Sequence, residues 1–394
     1  MSRFLQLHIL TFFPPANLNR DDTGRPKTAV VGGATRLRLS SQALKRAWRK
    51  SDLFQAALEG HLGDRTKRLG RNIALLLIKD HGVTEAEAHG FAKVISAVFG
   101  KPENKPKPGE ELFIKQLAFI SPDERRKVSV FLSRVLSDPE ARQRLLAAAT
   151  EVDLDTDGDE ANDDDDAPAK GKKAKAPKQS KQTTKLIGEM RQEILSAADT
   201  AADIALFGRM LADSPDYNRE AAAQVAHAIT THKVVVEDDY YTAMDDLKTP
   251  AEDAGAGFLG EAAFGSGVFY LYLCVDRALL LKNLGGNTEL AATALGALAE
   301  AAATVAPRGK QNSFAAHGRA HYVLAERGDR QPRTLAGAFA RPVDDRDLMA
   351  KSIEELERFR TELDAAYGPA ATDSATMQVG KSGSLADIIA FCRG

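Results

Sequence analysis

Six cations and no acid fall between Gly32 and Ser51, in GGATRLRLSSQALKRAWRKS: Arg36, Arg38, Lys45, Arg46, Arg49 and Lys50. Fork-shaped guanidinium groups beside mobile ammonium groups are the chemistry of phosphate binding. Ser40, Ser41 and Gln42 add neutral hydrogen-bonding groups at a helix start, where unpaired backbone N–H groups also favour anions. The first half of the stretch alternates like a strand, placing Arg36 and Arg38 on one face. The second half repeats like a helix, with Leu44, Ala47, Trp48 and Ser51 on one side and the cations on the other. A phosphate-facing ledge and a solvated helix face are, on residue types alone, equally good readings.

A second basic element, PRGKQNSF from Pro307 to Phe314, sets Arg308 and Lys310 around Gly309, and glycine permits close approach to a phosphate backbone. It lacks the second glycine and the Lys-Ser/Thr pair of a Walker loop. A third feature lies between strand-like stretches at 224–234 and 265–276. It carries Tyr240, Tyr241, Met244, Phe258 and Leu259 amid acids and glycines. That is longer than a connection requires, and it reads either as a loop folded over the core or as a projecting arm with an apolar tip. Catalytic sets do not assemble. His227 and His232 alternate out of register, His317 and His321 fall on a loop-to-strand transition, and no nucleophile elbow or H-E-x-x-H is present. Asp21 and Asp22 are adjacent acids that could hold a metal or assist RNA cleavage.

Several elements must position these groups. FLQLHIL at 4–10 alternates as a first core strand. TAVV and ATRLRL flank Gly32-Gly33, a hairpin signal, and Ser40 or Ser41 caps the helix that follows. Residues 52–150 read as helical, with a capping serine and proline at SPDERRKVSVFLSRVL. ADIALFGRML at 202–211 reads as a strand. TELAATALGALAEAAATV at 288–305 reads as a threonine-capped helix, AHYVLAERG as a late strand and DLMAKSIEELERFRTELDAAY as an amphipathic helix.

Ten acids in 151–166 are followed by seven lysines in 170–185. Such composition cannot offset its ordering entropy, so residues 151–185 are expected to form a mobile tether. The 394 residues carry a net charge of −2, so any polyanion must be held by local patches. Two cysteines suit a reducing cytoplasm, and no apolar run is long enough to cross a bilayer. One α/β domain with a helical insertion accounts for strands at both ends of the chain.

The blocks LNRDD, GG, RLRLSSQALKRAWRKS, DIALFGRM, AHAITTH, DDL and FGSGVFY together resemble the CasC family, the backbone subunit of the type I-E CRISPR Cascade complex. The resemblance covers the first 50 residues and most of 200–315. It implies an α/β (α+β) fold with a modified RRM, ferredoxin-like palm at 1–54, 201–234 and 265–394. Helical fingers would occupy 55–200 and a β-hairpin-like thumb 235–264. It implies a non-catalytic, cofactor-free cytoplasmic subunit that polymerises along CRISPR RNA, with target DNA, further copies of itself and other Cascade subunits as partners. Carried over to matching positions, guide-backbone contacts fall on Arg20, Lys27, Ser40, Gln42, Lys45 and Arg49, with Lys310 in a basic loop. The wedge at a flipped base falls on Met210 with Leu259, and Tyr240 and Tyr241 form an aromatic pair in the thumb. Lys181 and Lys185 are candidates for target DNA. Position 34 is alanine where the family commonly has a basic residue. The alternatives are a related subunit that cleaves target RNA through Asp21 or Asp22 with a metal, and a stand-alone RNA-binding module.

Overall fold

The structure, a computed structural model, describes residues 2–103, 105–152, 180–243 and 258–394. In chain order its elements are β1 (Phe4–Ala16), β2 (Thr28–Val31), β3 (Ala34–Leu39), α1 (Ser41–Arg49), α2 (Asp52–Ala57), β4 (Asp64–Thr66), α3 (Leu69–His81), α4 (Glu85–Ser96) and β5 (Ala118–Ile120). There follow α5 (Pro122–Ser137), α6 (Pro139–Val152), α7 (Lys181–Ile194), α8 (Ala202–Phe207), β6 (Ala223–Val225), β7 (Ala228–Thr230), β8 (Glu237–Ala243) and β9 (Phe258–Asp276). The chain ends with α9 (Arg277–Asn283), α10 (Thr288–Thr304), α11 (Gln311–Phe314), β10 (Ala320–Gly328), α12 (Leu348–Tyr367), β11 (Asp373–Gln378) and α13 (Leu385–Arg393). They form two compact units: Met1–Glu59, Ala222–Lys282 and Gly286–Gly394, and Gly60–Ala221 with Asn283–Gly285.

The first unit is built on an antiparallel sheet in the order β11-β10-β1-β9-β7-β3-β2, with β6 and β8 also paired to β9. β1 is covered on both faces. Leu10 joins Val268, Tyr270, Tyr322, Leu324 and Phe339 in the core beneath Leu356 of α12. Leu5, Leu7 and Ile9, at period two, take the opposite face and are almost fully buried. The hairpin forms as its glycines require: Gly32 and Gly33 have φ of 60° and 75°, and a Cβ on Gly32 would lie 1.7 Å from the Ala340 carbonyl oxygen.

A polar chain runs through the α12 side of this core. The Leu335 N–H donates to the Tyr270 hydroxyl at 3.0 Å, and that hydroxyl lies 2.9 Å from His8 Nδ1. His8 Nε2 lies 3.3 Å from Glu326, which also accepts from Arg333 and Arg360 at 2.7 and 2.9 Å. Burial holds His8 below its ordinary range and therefore neutral, so Nε2–H faces the carboxylate and Nδ1 accepts from tyrosine. Burial alone would raise Glu326; the hydrogen bonds from His8 and Arg333 hold it far below the usual carboxylate range.

The second unit packs α3, α4, α5, α6 and α7 around Phe91, Ile95, Phe131, Leu132 and Ile187. Ser121 caps α5 in a full capping box, as its sequence signal indicates. Two ion pairs are buried there: Arg209 to Glu124 and Arg219 to Asp199, each at 2.7 Å. Arg209 also donates to the carbonyls of Phe119, Ser196 and Tyr217, so both of its Nη groups are matched as well as neutralised.

Four expectations are corrected. Residues 202–207 form the helix α8, not a strand; Ala202 to Leu206 are all buried, and a short apolar run looks alike in either conformation. Asn287, not Thr288, caps α10, accepting from Leu290 N–H at 3.0 Å. The helical block contains the pair β4–β5, three residues each and too short to show a period. Lys181 and Lys185 lie in α7, capped by Ser180, rather than in a tether. Residues 153–179 of the charged tract, and Met244, lie outside the described residues. No helix of the described residues is long and apolar enough to cross a membrane.

Arg209→Met leaves the buried Glu124 carboxylate without its partner and is expected to destabilise the second unit by about 3–5 kcal/mol in urea denaturation. Acid sensitivity follows from the first unit. The folded-state shifts of His8 and Glu326 are both downward, so their contributions are present at neutral pH and are lost on acidification. Loss begins as pH falls below about 6.5 for His8 and about 4.3 for Glu326. A denaturation midpoint that stayed flat between about pH 7.5 and 5 would show that folding does not lower the His8 pKa, and one that rose on acidification would show that His8 is charged in the folded protein.

Candidate nucleic-acid interface

The ledge begins at the end of β1. Asn19 organises it: its Oδ1 accepts from Ser40 N–H, and its carbonyl accepts from Lys27 N–H, both at 2.8 Å. The Lys27 carbonyl in turn accepts from Arg38 N–H at 2.8 Å. One residue, through its side-chain and backbone carbonyls, thus ties the Arg20 segment, Lys27 and the start of α1 into a single frame that Lys27 extends to Arg38. Asn17, fully buried, donates to the carbonyls of Gly24 and Ala263 at 2.9 Å and fixes the loop from behind. The residue types alone did not single out these two asparagines, although their alternation in NLNRDD was the available signal.

Ser40 has extended backbone angles and its hydroxyl accepts from Ala43 N–H at 3.3 Å, an N-cap worth about 1 kcal/mol. Ser40 is buried, so its first role is to position the helix rather than to meet a ligand. α1 has no acid in its first turn, and Leu44, Ala47 and Trp48 face the core as their spacing indicates. Gln42, Arg46 and Lys50 are exposed, while Lys45 and Arg49, one turn apart, are half-buried. Burial lowers the Lys45 ammonium pKa.

Arg36 is corrected. It is fully buried, donating to the Thr230 carbonyl at 2.9 Å and the Phe339 carbonyl at 3.1 Å. The alternation placed it on the face of Arg38 correctly, but that face is covered at Arg36 by the segment around Phe339. Arg38 remains on the ledge, with Nη1 2.7 Å from His227 Nδ1. His227 is pushed down first by burial and then by the charges of Arg38 and Lys27, so the imidazole reports a positive local potential.

The basic loop meets the same segment. A Cβ on Gly309 would lie 2.3 Å from the Leu18 carbonyl oxygen and 2.4 Å from that of Asn17. The backbone between Arg308 and Lys310 therefore abuts the residues that lead into Arg20. Lys310 and Ala315 bracket the short α11 with φ of 44° and 48°, a left-handed conformation that non-glycine residues rarely adopt. Arg20, Lys27, Arg38, Lys45, Arg49 and the 308–310 loop all belong to the first unit.

The arm is a ribbon. β8 pairs with the first half of β9, Glu237 opposite Phe264 through Ala243 opposite Phe258, and every residue of β8 is exposed. The register separates the two tyrosines. Tyr240 shares a face with Leu259, 74% and 72% exposed, whereas Tyr241 faces the other way over Gly260, where a Cβ would lie 2.3 Å from its ring. Arg25 anchors the ribbon base, 2.7 Å from Asp238 and 3.7 Å from Glu261.

Asp21 is built into a turn. Its Oδ1 accepts from the Thr23 hydroxyl at 2.8 Å and from the N–H groups of Thr23 and Arg25 at 3.0 Å, and these bonds hold it below its usual range. No group of three or more His, Cys, Asp or Glu among the described residues could hold a metal ion.

Met210, in the second unit, is 75% exposed between two fixed neighbours. Arg209 and Arg219 form a backbone bridge, Leu211 N–H donates to Asn218 at 2.6 Å, and both arginines are held by the buried ion pairs. An apolar side chain is thereby displayed on a rigid support. Lys185 pairs with Glu189 along α7 at 3.8 Å.

The family model for the CT1975-like protein, a Cas family, matches residues 5–388. The chain belongs to the CT1975-like family. This CT1975-like protein is similar to a chain of a solved CRISPR RNA-guided surveillance complex, pre-nicking. The two are 26% identical with a TM-score of 0.73, over 99% of this chain and 100% of that one. A chain of a second CRISPR RNA-guided surveillance complex shares the fold, at 22% identity and a TM-score of 0.54, over 97% and 92%. No curated protein matches the sequence.

Arg36→Met is expected to lower the melting temperature of the CT1975-like protein, because it leaves two buried carbonyls unmatched, yet to leave the RNA affinity of the folded fraction unchanged. Parallel melting and RNA-binding measurements check both halves.

Proposed function

We propose that this CT1975-like protein is a non-catalytic CRISPR RNA-binding backbone subunit of a Cascade-type surveillance complex, of the CasC, type I-E kind. The observation that carries the reading is the frame at Asn19, which joins Arg20 and Lys27 of the loop after β1 to Arg38 of β3 and the start of α1, with the Gly309 loop packed on the same segment. Its cations belong to one unit, and Arg38 and Lys27 add to the burial that lowers the neighbouring histidine. The likeness over the full length of both chains to a component of an RNA-guided complex supports the same assignment.

On this reading Lys45, Arg49, Lys27, Arg38, Arg20 and Lys310 neutralise guide phosphates, with Arg46, Lys50, Gln42 and Arg308 beside them. Backbone contacts leave base edges open for pairing with target DNA and make spacer sequence largely irrelevant. Copies repeat along the guide. Met210, on its rigid support, and the face shared by Leu259 and Tyr240 are the apolar groups suited to separate stacked bases. Asp21 is accounted for by its turn, so the reading needs no cleavage step.

Lys45→Ala/Arg49→Ala is expected to deplete the guide RNA that co-purifies with the complex. Each phosphate deprived of its cation should reduce the log–log slope of RNA affinity against salt by about 0.7. Guide RNA retained at wild-type level by the double variant would remove the ledge from the interface. Regularly spaced cuts in complementary RNA, produced with a divalent cation, would overturn the non-catalytic assignment.

A further inference from the structure

The chain enters the arm through a change of sheet partner. β7 pairs with β9, Ile229 opposite Tyr270 and Thr230 opposite Phe269. Beyond it, Val234 N–H donates to the Thr35 carbonyl of β3 at 3.0 Å, and β8 opens at Glu237. Two residues of this switch hold both backbone groups of Val268 in β9. Thr231 N–H donates to the Val268 carbonyl at 2.9 Å, as a continuing strand would. The Val268 N–H, which a strand would pair with a carbonyl, donates instead to His232 Nε2 at 3.2 Å. The other ring nitrogen, Nδ1, lies 2.9 Å from the Lys233 carbonyl. A carbonyl only accepts and an N–H only donates, so these partners fix the ring as the neutral Nδ1–H tautomer.

The ring has a seat made for it. A Cβ on Gly267 would lie 2.6 Å from His232 Nε2 and 2.9 Å from Cε1, so glycine makes room for the imidazole. On Gly265 a Cβ would lie 2.9 Å from Leu37 Cδ1, and Ser266 Oγ donates to the Phe13 carbonyl at 2.9 Å. Successive residues of β9 are thus held from β3, from β1 and from the switch. The last residue of AHAITTH and the second glycine of FGSGVFY meet in one contact. His232 is half-buried, so a proton from solvent can reach it. Buried Arg36 of β3 acts on its charge and exposed Lys233 follows it in the chain, while Gly267 and Val268 do not titrate. Burial lowers the His232 pKa more than its bond to Lys233 raises it, and Arg36 lowers it further.

We propose that His232 is the positioning residue of the arm: its neutral imidazole latches the entry of β8 to β9 and so sets where Tyr240 and Leu259 project. A second proton on Nε2 would set two donors face to face and break the bond to Val268. The latch therefore opens on acidification, beginning as pH falls below about 6.5. It is a property of the chain alone; its consequence for RNA rests on the proposed function.

Hydrogen exchange on the full chain without nucleic acid, corrected for the intrinsic effect of pH, reads the latch. In wild type, peptides spanning 237–243 and 258–268 should exchange about tenfold faster at pH 5.5 than at pH 7.5. His232→Gln, whose amide can make both bonds without titrating, should stay slow at both, and His232→Ala should be fast at both. Peptides of β10, which carries Glu326, report the separate acid response around His8. In the assembled complex, His232→Ala should retain several-fold less guide RNA and His232→Gln the wild-type amount. The same pH response in His232→Gln as in wild type, or wild-type protection in His232→Ala, overturns the latch. An opened root with guide RNA fully retained overturns the positioning role. Guide RNA retained by Lys45→Ala/Arg49→Ala would remove the ledge assignment and leave the exchange result standing.

Discussion

The pairing of β1 with β9 is the constraint on which the first unit depends. β1 is buried on both faces, so each of its backbone groups must find a partner in the sheet, and β9 and β10 supply them over most of its length. The register from Phe4–Asp276 to Ala16–Gly265 delivers the chain to Asn17 at a fixed place, where its amide reaches Ala263 on the same partner strand. Beyond that point β9 continues as one side of the exposed ribbon with β8. A single strand pairing therefore fixes the start of the basic ledge and the root of the arm together. The arm is aimed by the sheet rather than by a hinge.

A chain of net charge −2 can hold a polyanion because its charges are sorted by place. Some arginines never meet solvent: Arg36 satisfies carbonyls, and Arg209 and Arg219 balance buried carboxylates. On the ledge, by contrast, α1 has no acid in its first turn, and burial together with the charges of Arg38 and Lys27 depresses His227. Two acids near the ledge are committed elsewhere, Asp21 to its own turn and Asp238 to Arg25. The buried ion pairs of the second unit fit the same logic. They stiffen the short loop that displays Met210, an apolar group that would otherwise have strong reason to collapse onto the surface.

Much of this was legible in the residues, because the deciding forces were local. The hairpin at Gly32-Gly33 needs positive φ; the cap at Ser40 needs an oxygen before a helix; the apolar face of α1 needs only its spacing. The long strand at 265–276 and the helices of the insertion declared themselves by length and pattern. Position 202–207 did not, since an apolar run buried on all sides has no period to read. Nor did β4 and β5, which exist because their partners are brought together from 50 residues apart.

By itself the sequence determined which residues could bind phosphate, and which local turns and caps would present them. Only the tertiary structure decided which of those residues reach solvent. Arg36 and Arg38 are equivalent in the strand pattern, yet the Phe339 segment covers one and leaves the other on the ledge. Tyr240 and Tyr241 are neighbours in sequence, yet the register of β8 on β9 sends them to opposite faces. The reason is the same in both cases. Periodicity fixes direction relative to the element's own axis, while burial depends on what arrives from elsewhere in the chain.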